Sequence, residues 1–334
     1  MAQKNSNLHN AKRAKNDEFY TQLSDIEKEM AHYKDFFKEK IVYCNCDDAR
    51  ESNFFQYFAL NFEYLGLKKL ITTGYKESGK GVALIYEGDK NGNKIVEDNE
   101  IIIRELDGNG DFRSAECVEL LKEADVVVTN PPFSLFREYA AQLMKYGKKF
   151  LIIGNKNAIT YKEIFPYIKD NELWLGITNP DEYRLPNGEI TQSVKGLCRW
   201  FTNIPHNRRN TPLDLYKKYS ADEFPKYDNY DAIEVSKVTD IPMDYEGVMG
   251  VPITFLDKYC PTQFEIIWTT DRGGDGMLDE LKLPHTRYDA PVINGKGLYK
   301  RILIRKKVTN TDTSTDNGTN VANTIADNTS NSKI

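Results

Sequence analysis

The segment whose residue types best suit a chemical role is Asn130-Pro131-Pro132-Phe133, which directly follows a β-branched predicted strand, Asp-Val-Val-Val-Thr, at residues 125–129. Asn130 offers a side-chain carbonyl as a hydrogen-bond acceptor. Pro131 has a fixed φ and no backbone N–H, so the turn presents its carbonyl group. Phe133 adds a ring face on which a planar group can stack. A strand that ends in a Pro-Pro turn could account for the segment, but the combination predicts a loop that holds a planar, conjugated amine.

Such an amine is a poor nucleophile because its lone pair is delocalised into the ring. Acceptors that bind it more strongly as positive charge develops on nitrogen would lower the barrier to attack on a sulfonium methyl group. The loop therefore predicts methyl transfer to a ring amine by direct in-line attack, with no covalent enzyme intermediate and no metal.

The elements around this loop alternate between strands and helices, which predicts an α/β fold with a Rossmann-like, largely parallel sheet. Ligands bind at the carboxyl ends of such strands, and both Asp47 and Asn130 follow a predicted strand. The predicted strands are residues 41–46, 68–75, 101–107, 125–129, 149–154 and 173–177, with a further strand within 197–204 and a last one at 301–305. The predicted helices are residues 52–66, 114–124 (with Ser114 as N-cap), 135–147 and 160–170, and a hairpin with its turn at Asn91-Gly92 is predicted over 83–97.

Two acidic residues follow the first predicted strand. A carboxylate of Asp47 or Asp48 could accept a hydrogen bond from the ammonium group of a methyl donor of the S-adenosylmethionine type. Either residue could instead cap the helix that begins near residue 52. The sequence leaves these two roles open.

Two further segments are candidates for the same cofactor site. Asp111 and Phe112 could hold the adenine of the donor, although Gly108-Asn109-Gly110 before them could equally be only a tight turn. Tyr20 and Thr21 could close over its methionine end, or belong to an ordinary loop.

The five cysteines do not predict a metal site. Cys44 and Cys46, one residue apart on a strand, would place both thiols on one face, and no matching Cys or His pair occurs elsewhere. The N-terminal residues lack the apolar stretch of a secretory signal, and no apolar run approaches the ~20 residues of a membrane span. A reduced, cytoplasmic enzyme is expected.

The net charge of −5 disfavours a nucleic-acid partner, but the distribution of charge favours one. Basic residues cluster within 1–16, 193–218 and 296–307, where the only acidic residue is Asp214. Local clusters of this kind bind phosphates. The candidate nucleic-acid contacts are Arg199, Arg208, Arg209, Lys300 and Arg301.

The order of these motifs resembles that of amino-type DNA methyltransferases of the gamma arrangement, and more closely that of EcoRI-type adenine-specific DNA methyltransferases. The resemblance runs from about residue 9 to 305 and rests on segments such as DEFYTQ (17–22), VYCNCDDAR (42–50), GNGDFRSAE (108–116), VVVTNPPFSLFREY (126–139) and MGVPITFL (249–256). It implies a methyltransferase sheet that binds S-adenosylmethionine, and N6 methylation of an adenine flipped out of double-stranded DNA. It also implies a monomer that belongs to a restriction-modification system, in which an endonuclease would act on the same site without a stable complex.

The same resemblance assigns roles along the chain. It implies that Asn130 and Pro131 accept hydrogen bonds from the N6 amine, that Pro132 shapes the loop and that Phe133 stacks on the adenine. It places Thr21, Asp47, Asp111 and Phe112 at the cofactor site. The residues themselves predict a flexible basic arm (1–16) and a disordered tail (308–334), which is rich in Asn, Ser and Thr. Between them the expected parts are a catalytic domain (17–204) and an irregular target-recognition region (205–307) that could add strands to the sheet.

One departure from the broad pattern is the loop at residues 44–54, which contains no glycine. Without a glycine, the backbone of this loop cannot approach the cofactor in the usual way. Which of Asp47 and Asp48 contacts the cofactor is therefore open. Two other functions also remain open from the sequence: an amino-methyltransferase that acts on RNA or on a protein glutamine through the same loop, and a catalytically silent DNA-binding relative.

Overall fold

A computed structural model describes residues 20–46, 49, 52–184, 190–191, 196–270 and 290–307. The predicted arm at 1–16 and tail at 308–334 lie outside this range. Within the described residues, no helix combines the length and apolar character needed to cross a membrane.

Seventeen strands are present among the described residues. They are β1 (Tyr20–Thr21), β2 (Ile41–Cys44), β3 (Lys69–Gly74), β4 (Val82–Tyr86), β5 (Ile101–Glu105), β6 (Val126–Thr129), β7 (Lys149–Asn155), β8 (Trp174–Leu175), β9 (Tyr183–Arg184), β10 (Ile190–Thr191), β11 (Cys198–Thr202), β12 (Ile233–Glu234), β13 (Met249–Pro252), β14 (Phe264–Thr269), β15 (Val292–Ile293), β16 (Lys296–Gly297) and β17 (Arg301–Lys306). The α-helices are α1 (Leu23–Met30), α2 (Asn53–Leu60), α3 (Phe62–Leu65), α4 (Ala115–Glu123), α5 (Phe136–Lys145) and α6 (Phe165–Lys169).

The main sheet has eight strands in the order β5-β4-β3-β2-β6-β7-β11-β8. The four central strands, β3, β2, β6 and β7, are parallel, and the pairs outside them are antiparallel. The predicted α/β class is confirmed, and the strand predicted within 197–204 does join this sheet as β11. The sheet is mixed and not largely parallel as predicted, because three of its strand pairs are parallel and four are antiparallel. The chain leaves β2 toward β3 on one side and later returns to β6 on the other. This reversal of strand order makes a topological switch point between β2 and β6, where ligands bind in such sheets.

Both faces of the main sheet are covered by helices. Val126 and Val128 of β6 pack in one core cluster with residues of α1, α2 and α3, whereas Val127 packs in a second cluster with residues of α4, α5 and α6. This alternation is the period of two expected of a strand. It explains why Val126, Val127 and Val128 are all apolar: both faces of the strand are buried.

A second sheet, in the order β12-β13-β17-β14, lies in the C-terminal part of the chain. Ile302 and Ile304 of β17 belong to the same core cluster as α4–α6. The rings of Phe165 in α6 and Trp268 in β14 meet edge to face, with centroids 5.2 Å apart. The division of the chain at residues 204 and 205 stays a prediction, because this sheet shares its core with the first.

Three predicted elements differ from those observed, each for a local reason. The helix predicted over 52–66 is broken at Asn61, whose side chain donates to the backbone oxygen of Tyr57 (2.8 Å). The hairpin predicted within 83–97 is wrong, since β4 pairs with β5 and the intervening loop folds around Asp89, which accepts from three backbone N–H groups at residues 91, 92 and 94. The helix predicted over 160–170 is confined to α6, with Pro166 in its first turn, after a 3-10 turn at Lys156–Thr160.

A buried histidine lies at the β8 edge of the main sheet. His206 is 7% exposed, and its Nε2 lies 3.1 Å from the backbone oxygen of Leu175. Burial, with a smaller effect of the neighbouring Arg209 and Arg208, lowers the pKa of His206 from 6.5 to about 4. His206 is therefore neutral at pH 7, with Nε2 as the donor.

We expect His206 to make folding sensitive to acid. The unfolded chain takes up a proton near pH 6.5 and the folded chain only near pH 4, so stability is lost as the pH falls between these values, by at most about 1.4 kcal/mol per pH unit. Urea denaturation at several pH values should show this slope in the wild type and its loss in His206→Gln. The same change at the exposed His32 serves as the control, and equal slopes in wild type and His206→Gln would contradict the prediction.

Candidate active site

The loops after β2, β3, β5 and β6 meet at one edge of the main sheet. β5 runs in the same direction as β3, because β4 is antiparallel to both. These four loops and the start of α5 enclose a cavity of about 180 Å³. Its lining residues are Cys46, Tyr75, Gly110, Asp111, Phe112, Arg113, Pro132 and Leu135.

The ends of β2 and β6 are joined through Asn45. The Thr129 hydroxyl donates to the backbone oxygen of Asn45, and the Tyr139 hydroxyl of α5 donates to its Oδ1. All three residues are buried. Because Thr129 directly precedes Asn130, these bonds fix the loop after β6 relative to the loop after β2.

Cys46 has the backbone conformation that a glycine would adopt most readily, with φ +67°. A left-handed conformation costs a residue with a Cβ about 1–2 kcal/mol, so the glycine-free loop makes its turn at some cost in strain. Cys44 packs in the cluster of α1–α3, whereas Cys46 packs against that of α4–α6. The prediction that both thiols share one face is wrong, because β2 ends at Cys44. In the described part of the chain, no group of three or more His, Cys, Asp or Glu side chains is placed to hold a metal ion.

Asp47 and Asp48 lie outside the described residues. The cap of the following helix is Ser52, whose hydroxyl accepts from the backbone N–H of Phe54 (3.2 Å). The capping role considered for the two aspartates therefore belongs to Ser52.

Thr21 is held close to this loop by the first residue of α2. The side-chain amide of Asn53 donates to the backbone oxygen of Thr21 (2.7 Å). The Thr21 hydroxyl oxygen is buried and has no hydrogen-bond partner among the described residues, which is unusual for a buried polar atom. Thr21 and Tyr20 pair with Tyr183 and Arg184 of β9.

Gly110 sets the position of Asp111. Gly110 has φ +84°, and a Cβ there would clash with the backbone oxygen of Gly74. The backbone N–H of Lys76 donates to the backbone oxygen of Asn109 (2.9 Å). The segment is thus a tight turn, and the turn also brings Asp111 beside Tyr75 in the wall of the cavity.

Asp111 and Phe112, which both line the cavity, are held by different contacts. The backbone N–H and the Nε of Arg113 donate to the Asp111 carboxylate (2.9 Å and 2.8 Å). This interaction with Arg113 holds the pKa of Asp111 below its ordinary value. Phe112 is 6% exposed and meets Tyr139 edge to face, with ring centroids 5.0 Å apart. Gln142 donates to the backbone oxygen of Phe112 (3.2 Å).

The loop after β6 begins in the core and ends at the cavity. Oδ1 of Asn130 and the whole of Pro131 are buried. Pro132 lines the cavity, and its backbone oxygen accepts from the N–H of Leu135 (2.9 Å) at the start of α5. Phe133 is half-buried and packs against the cluster of α1–α3.

Comparison with known proteins places this site in a family. The model of the family described as "Adenine-specific methyltransferase EcoRI" matches residues 7–307. The chain belongs to the EcoRI family of adenine-specific methyltransferases. It is 50% identical over 330 residues to Type II methyltransferase M.EcoRI of Escherichia coli, covering 91% of this chain and 97% of that protein. It is 39% identical to Type II methyltransferase M.MpnI of Mycoplasma pneumoniae and 38% identical to M.MgeORF184P of Mycoplasma genitalium, in both cases over 90% of this chain and 98% of the relative.

The family assignment confirms the resemblance, the fold class and the predicted methyltransferase activity on adenine. It does not test the roles given to single residues, which stay predictions.

Three of the predicted nucleic-acid contacts in this EcoRI-family chain are arginines with partners inside the protein. Nε of Arg199 lies 3.7 Å from the Asp257 carboxylate. Arg208 donates to the backbone oxygen of Ile177 (2.6 Å). The Arg209 guanidinium lies over the Trp174 ring, 3.2 Å from its centroid, and burial lowers the pKa of Arg209.

The other two predicted contacts lie together before and at the start of β17. Lys300 donates to the Thr160 hydroxyl (3.2 Å), just beyond the carboxyl end of β7. Arg301 forms an ion pair with Glu234 (2.6 Å), and both side chains are largely buried. Arg199, opposite Gly154 at the end of β7, and Lys300 are therefore the predicted contacts beside the active-site edge.

The sequence did not single out Asn45, Asn53 or Tyr139. One signal was present for Tyr139, which lies on the apolar face of its helix with Phe136, Ala140 and Leu143, where a buried hydroxyl needs a partner. Asn45 follows a buried strand, as ligand-side residues often do, but its two partners are distant in sequence.

We expect Gly110→Ala to be strongly destabilising and Gly108→Ala to be nearly neutral. A Cβ at Gly110 meets the Gly74 backbone and requires a left-handed conformation that alone costs about 1–2 kcal/mol, whereas a Cβ at Gly108 meets nothing within 4 Å. Urea denaturation gives the free energies of unfolding. Methylation assays measure the loss of activity that displacement of Asp111 should cause. Equal behaviour of the two variants would show that the close approach of the two loops is not required.

Proposed function

We propose that this protein transfers a methyl group from S-adenosylmethionine to N6 of an adenine that is flipped out of duplex DNA. The observation that carries the proposal is the cavity at the switch point, which lies between the Asp111 loop and the Asn130-Pro131-Pro132-Phe133 loop. Donor and acceptor could therefore be held side by side at one edge of the sheet.

The residues around the cavity fit this cofactor. Tyr75 and Phe112 offer apolar walls for an adenine, and Asp111 offers a carboxylate at the rim. The buried hydroxyl of Thr21 lacks a partner among the described residues; Thr21 is not one of the lining residues, and it is the proposed contact of a polar group at the methionine end of the cofactor. When bound, S-adenosylmethionine supplies an electrophilic methyl group on a positively charged sulfur. Tyr75, which directly follows β3, lies in the wall of the cavity.

The acceptor amine would be held by the loop after β6. The side-chain oxygen of Asn130 and the backbone oxygen of Pro131 accept hydrogen bonds that strengthen as the amine becomes positive. Oδ1 of Asn130 is covered in the structure, so entry of the base must displace what covers it. Phe133 stacks on the extruded base. Most of the rate then comes from positioning and preorganised acceptors.

DNA is the acceptor that the relatives and the charge distribution favour. All three relatives are named Type II methyltransferases. Arg199 and Lys300 lie nearest the active-site edge, and with Arg208, Arg209 and Arg301 they are the proposed phosphate contacts. On this basis the protein would act in the cytoplasm, as a monomer, as the modification enzyme of a restriction-modification system whose endonuclease acts on the same site.

We expect Asn130→Ala to abolish methylation and to leave cofactor affinity largely intact, because the change removes a proposed acceptor of the amine and none of the proposed cofactor contacts. Both proteins should be expressed in a host without adenine methylation, and modified bases mapped by long-read sequencing. The wild type should place N6-methyladenine at one recognition sequence, and the variant at none. The exposed Asn99→Ala is the matched control, and full activity of Asn130→Ala would overturn the proposal.

We expect Phe133→Ala to weaken capture of the flipped base more than binding of the duplex, since stacking on an aromatic ring contributes about 1–3 kcal/mol per base. Fluorescence of a base analogue at the target position reports capture, and a gel-shift assay reports duplex affinity. Phe133→Tyr, which keeps the ring, should behave like the wild type. Equal losses in both assays would argue against stacking.

A further inference from the structure

Two acidic side chains of α1, Asp25 and Glu29, are buried outside the lining of the cavity, and the proposed chemistry does not use them. Glu29 is 0% exposed and Asp25 is 2% exposed. Both face the segment between β8 and β9, residues 176–182, about 150 residues away in the chain.

Glu29 is surrounded by donors from that segment and from its own helix. One carboxylate oxygen accepts from the backbone N–H of Ile177 (2.9 Å) and from the Tyr33 hydroxyl (2.9 Å). The other accepts from the backbone N–H and the hydroxyl of Thr178, both at 2.6 Å. A carboxylate satisfies this arrangement because it offers acceptors alone. Gly176 makes the approach possible, since a Cβ there would clash with the Glu29 carboxylate.

Asp25 repeats the arrangement one turn earlier in α1. Its Oδ2 accepts from the backbone N–H groups of Asp181 (2.8 Å) and Glu182 (3.0 Å), while Oδ1 accepts from Lys28 (3.2 Å). The two carboxylates therefore bind four backbone N–H groups of one irregular segment. Without them these groups would be left without acceptors, at about 1–3 kcal/mol for each one that is buried.

The segment held in this way leads directly to the partner strand of Thr21. Residue 183 follows the last N–H bound by Asp25, and Tyr183 pairs with Thr21 in the β1–β9 ladder. Only one residue, Gln22, separates Thr21 from the start of α1. β1 and α1 thus contact the 176–184 segment at three successive places, and that segment is itself anchored to the main sheet, where the N–H of Gly176 donates to the backbone oxygen of Trp200 (2.9 Å).

We propose that Asp25 and Glu29 are positioning residues for the cofactor site: by binding the 177–182 backbone they fix the strand pair that presents Thr21 to S-adenosylmethionine. The inference rests on the proposed function, because it takes Thr21 as a cofactor contact. It gives the N-terminal segment a defined task, which is to carry Thr21 at a fixed distance from the loop after β2, where Asn53 binds its backbone oxygen.

The test is a double-mutant cycle between Glu29→Gln and Thr21→Ala, read as the Kd for S-adenosylmethionine by calorimetry on the full chain. In Glu29→Gln the side-chain NH₂ group faces N–H and O–H donors of residues 177 and 178 or of Tyr33, so hydrogen bonds that the carboxylate accepted are lost. Each single change should weaken cofactor affinity about tenfold. The double variant should lose no more than about twofold beyond Thr21→Ala, because the same contact has already been removed. Duplex affinity should be unchanged in all of them.

The control is Glu27→Gln, the same chemical change on the exposed face of α1, which should bind the cofactor like the wild type. If Glu29 had only a structural role, independent of Thr21, the fold-losses in cofactor affinity of the two single variants would multiply in the double variant. This result would overturn the inference. If Glu29→Gln does not fold, Thr178→Val takes its place in the cycle, since it removes one donor to Glu29 and keeps the backbone. Cofactor affinity of Thr178→Val equal to that of the wild type would also overturn the inference.

The outcomes separate this inference from the proposed function. If the wild type binds no S-adenosylmethionine, the proposed function fails and the inference fails with it. If the wild type binds it and Glu29→Gln binds it equally well, only the role of the two carboxylates is wrong.

Discussion

The arrangement of this site depends on the buried hydrogen bonds that Asn45 makes with Thr129 and Tyr139. Asn45 follows β2 and Thr129 ends β6, so one residue joins the two strands between which the order of the sheet reverses. Movement of either strand end would leave a carbonyl or a hydroxyl buried without a partner, at about 1–3 kcal/mol for each group. The proposed cofactor loop and the proposed amine loop therefore keep one spacing, which in-line transfer requires.

Hydrogen bonds between a side chain and the backbone of a distant segment also fix two other irregular parts of the fold. Asn53 binds the backbone of Thr21, and Asp25 and Glu29 bind the backbone of residues 177–182. The glycine-free loop after β2 belongs to this pattern. Cys46 adopts φ +67° without a glycine, and such strain persists only where neighbouring contacts fix the backbone, here those of Asn45. In the loop after β2, buried polar contacts thus fix a turn of the kind that Gly110 makes in the loop after β5.

The sequence predicted what is determined locally. The central strands and α4, with Ser114 as its cap, follow from apolar runs, period and capping chemistry within a few residues. The Asn45–Tyr139 bond could not be predicted in this way, since its partners are 94 residues apart and meet only after the sheet has formed. The failed hairpin shows the same limit. Asn91-Gly92 does lie in a turn, but the strand that pairs with β4 begins only at Ile101, because Asp89 organises the residues between.

A basic cluster in the sequence can indicate phosphate binding, but its residues can also form ion pairs inside the protein. Arg301 belongs to the cluster at 296–307, yet its guanidinium is paired with Glu234, which is 4% exposed. Removal of Arg301 would leave that carboxylate buried and uncompensated, a change that typically costs about 3–5 kcal/mol. A loss of DNA affinity in such a variant would therefore report the fold as much as a phosphate contact. Lys300, the preceding residue, donates from its Nζ to the Thr160 hydroxyl beside the end of β7. Two neighbouring basic residues of one cluster therefore have different partners, and the charge of Arg301 contributes to the fold whatever it contributes to DNA binding.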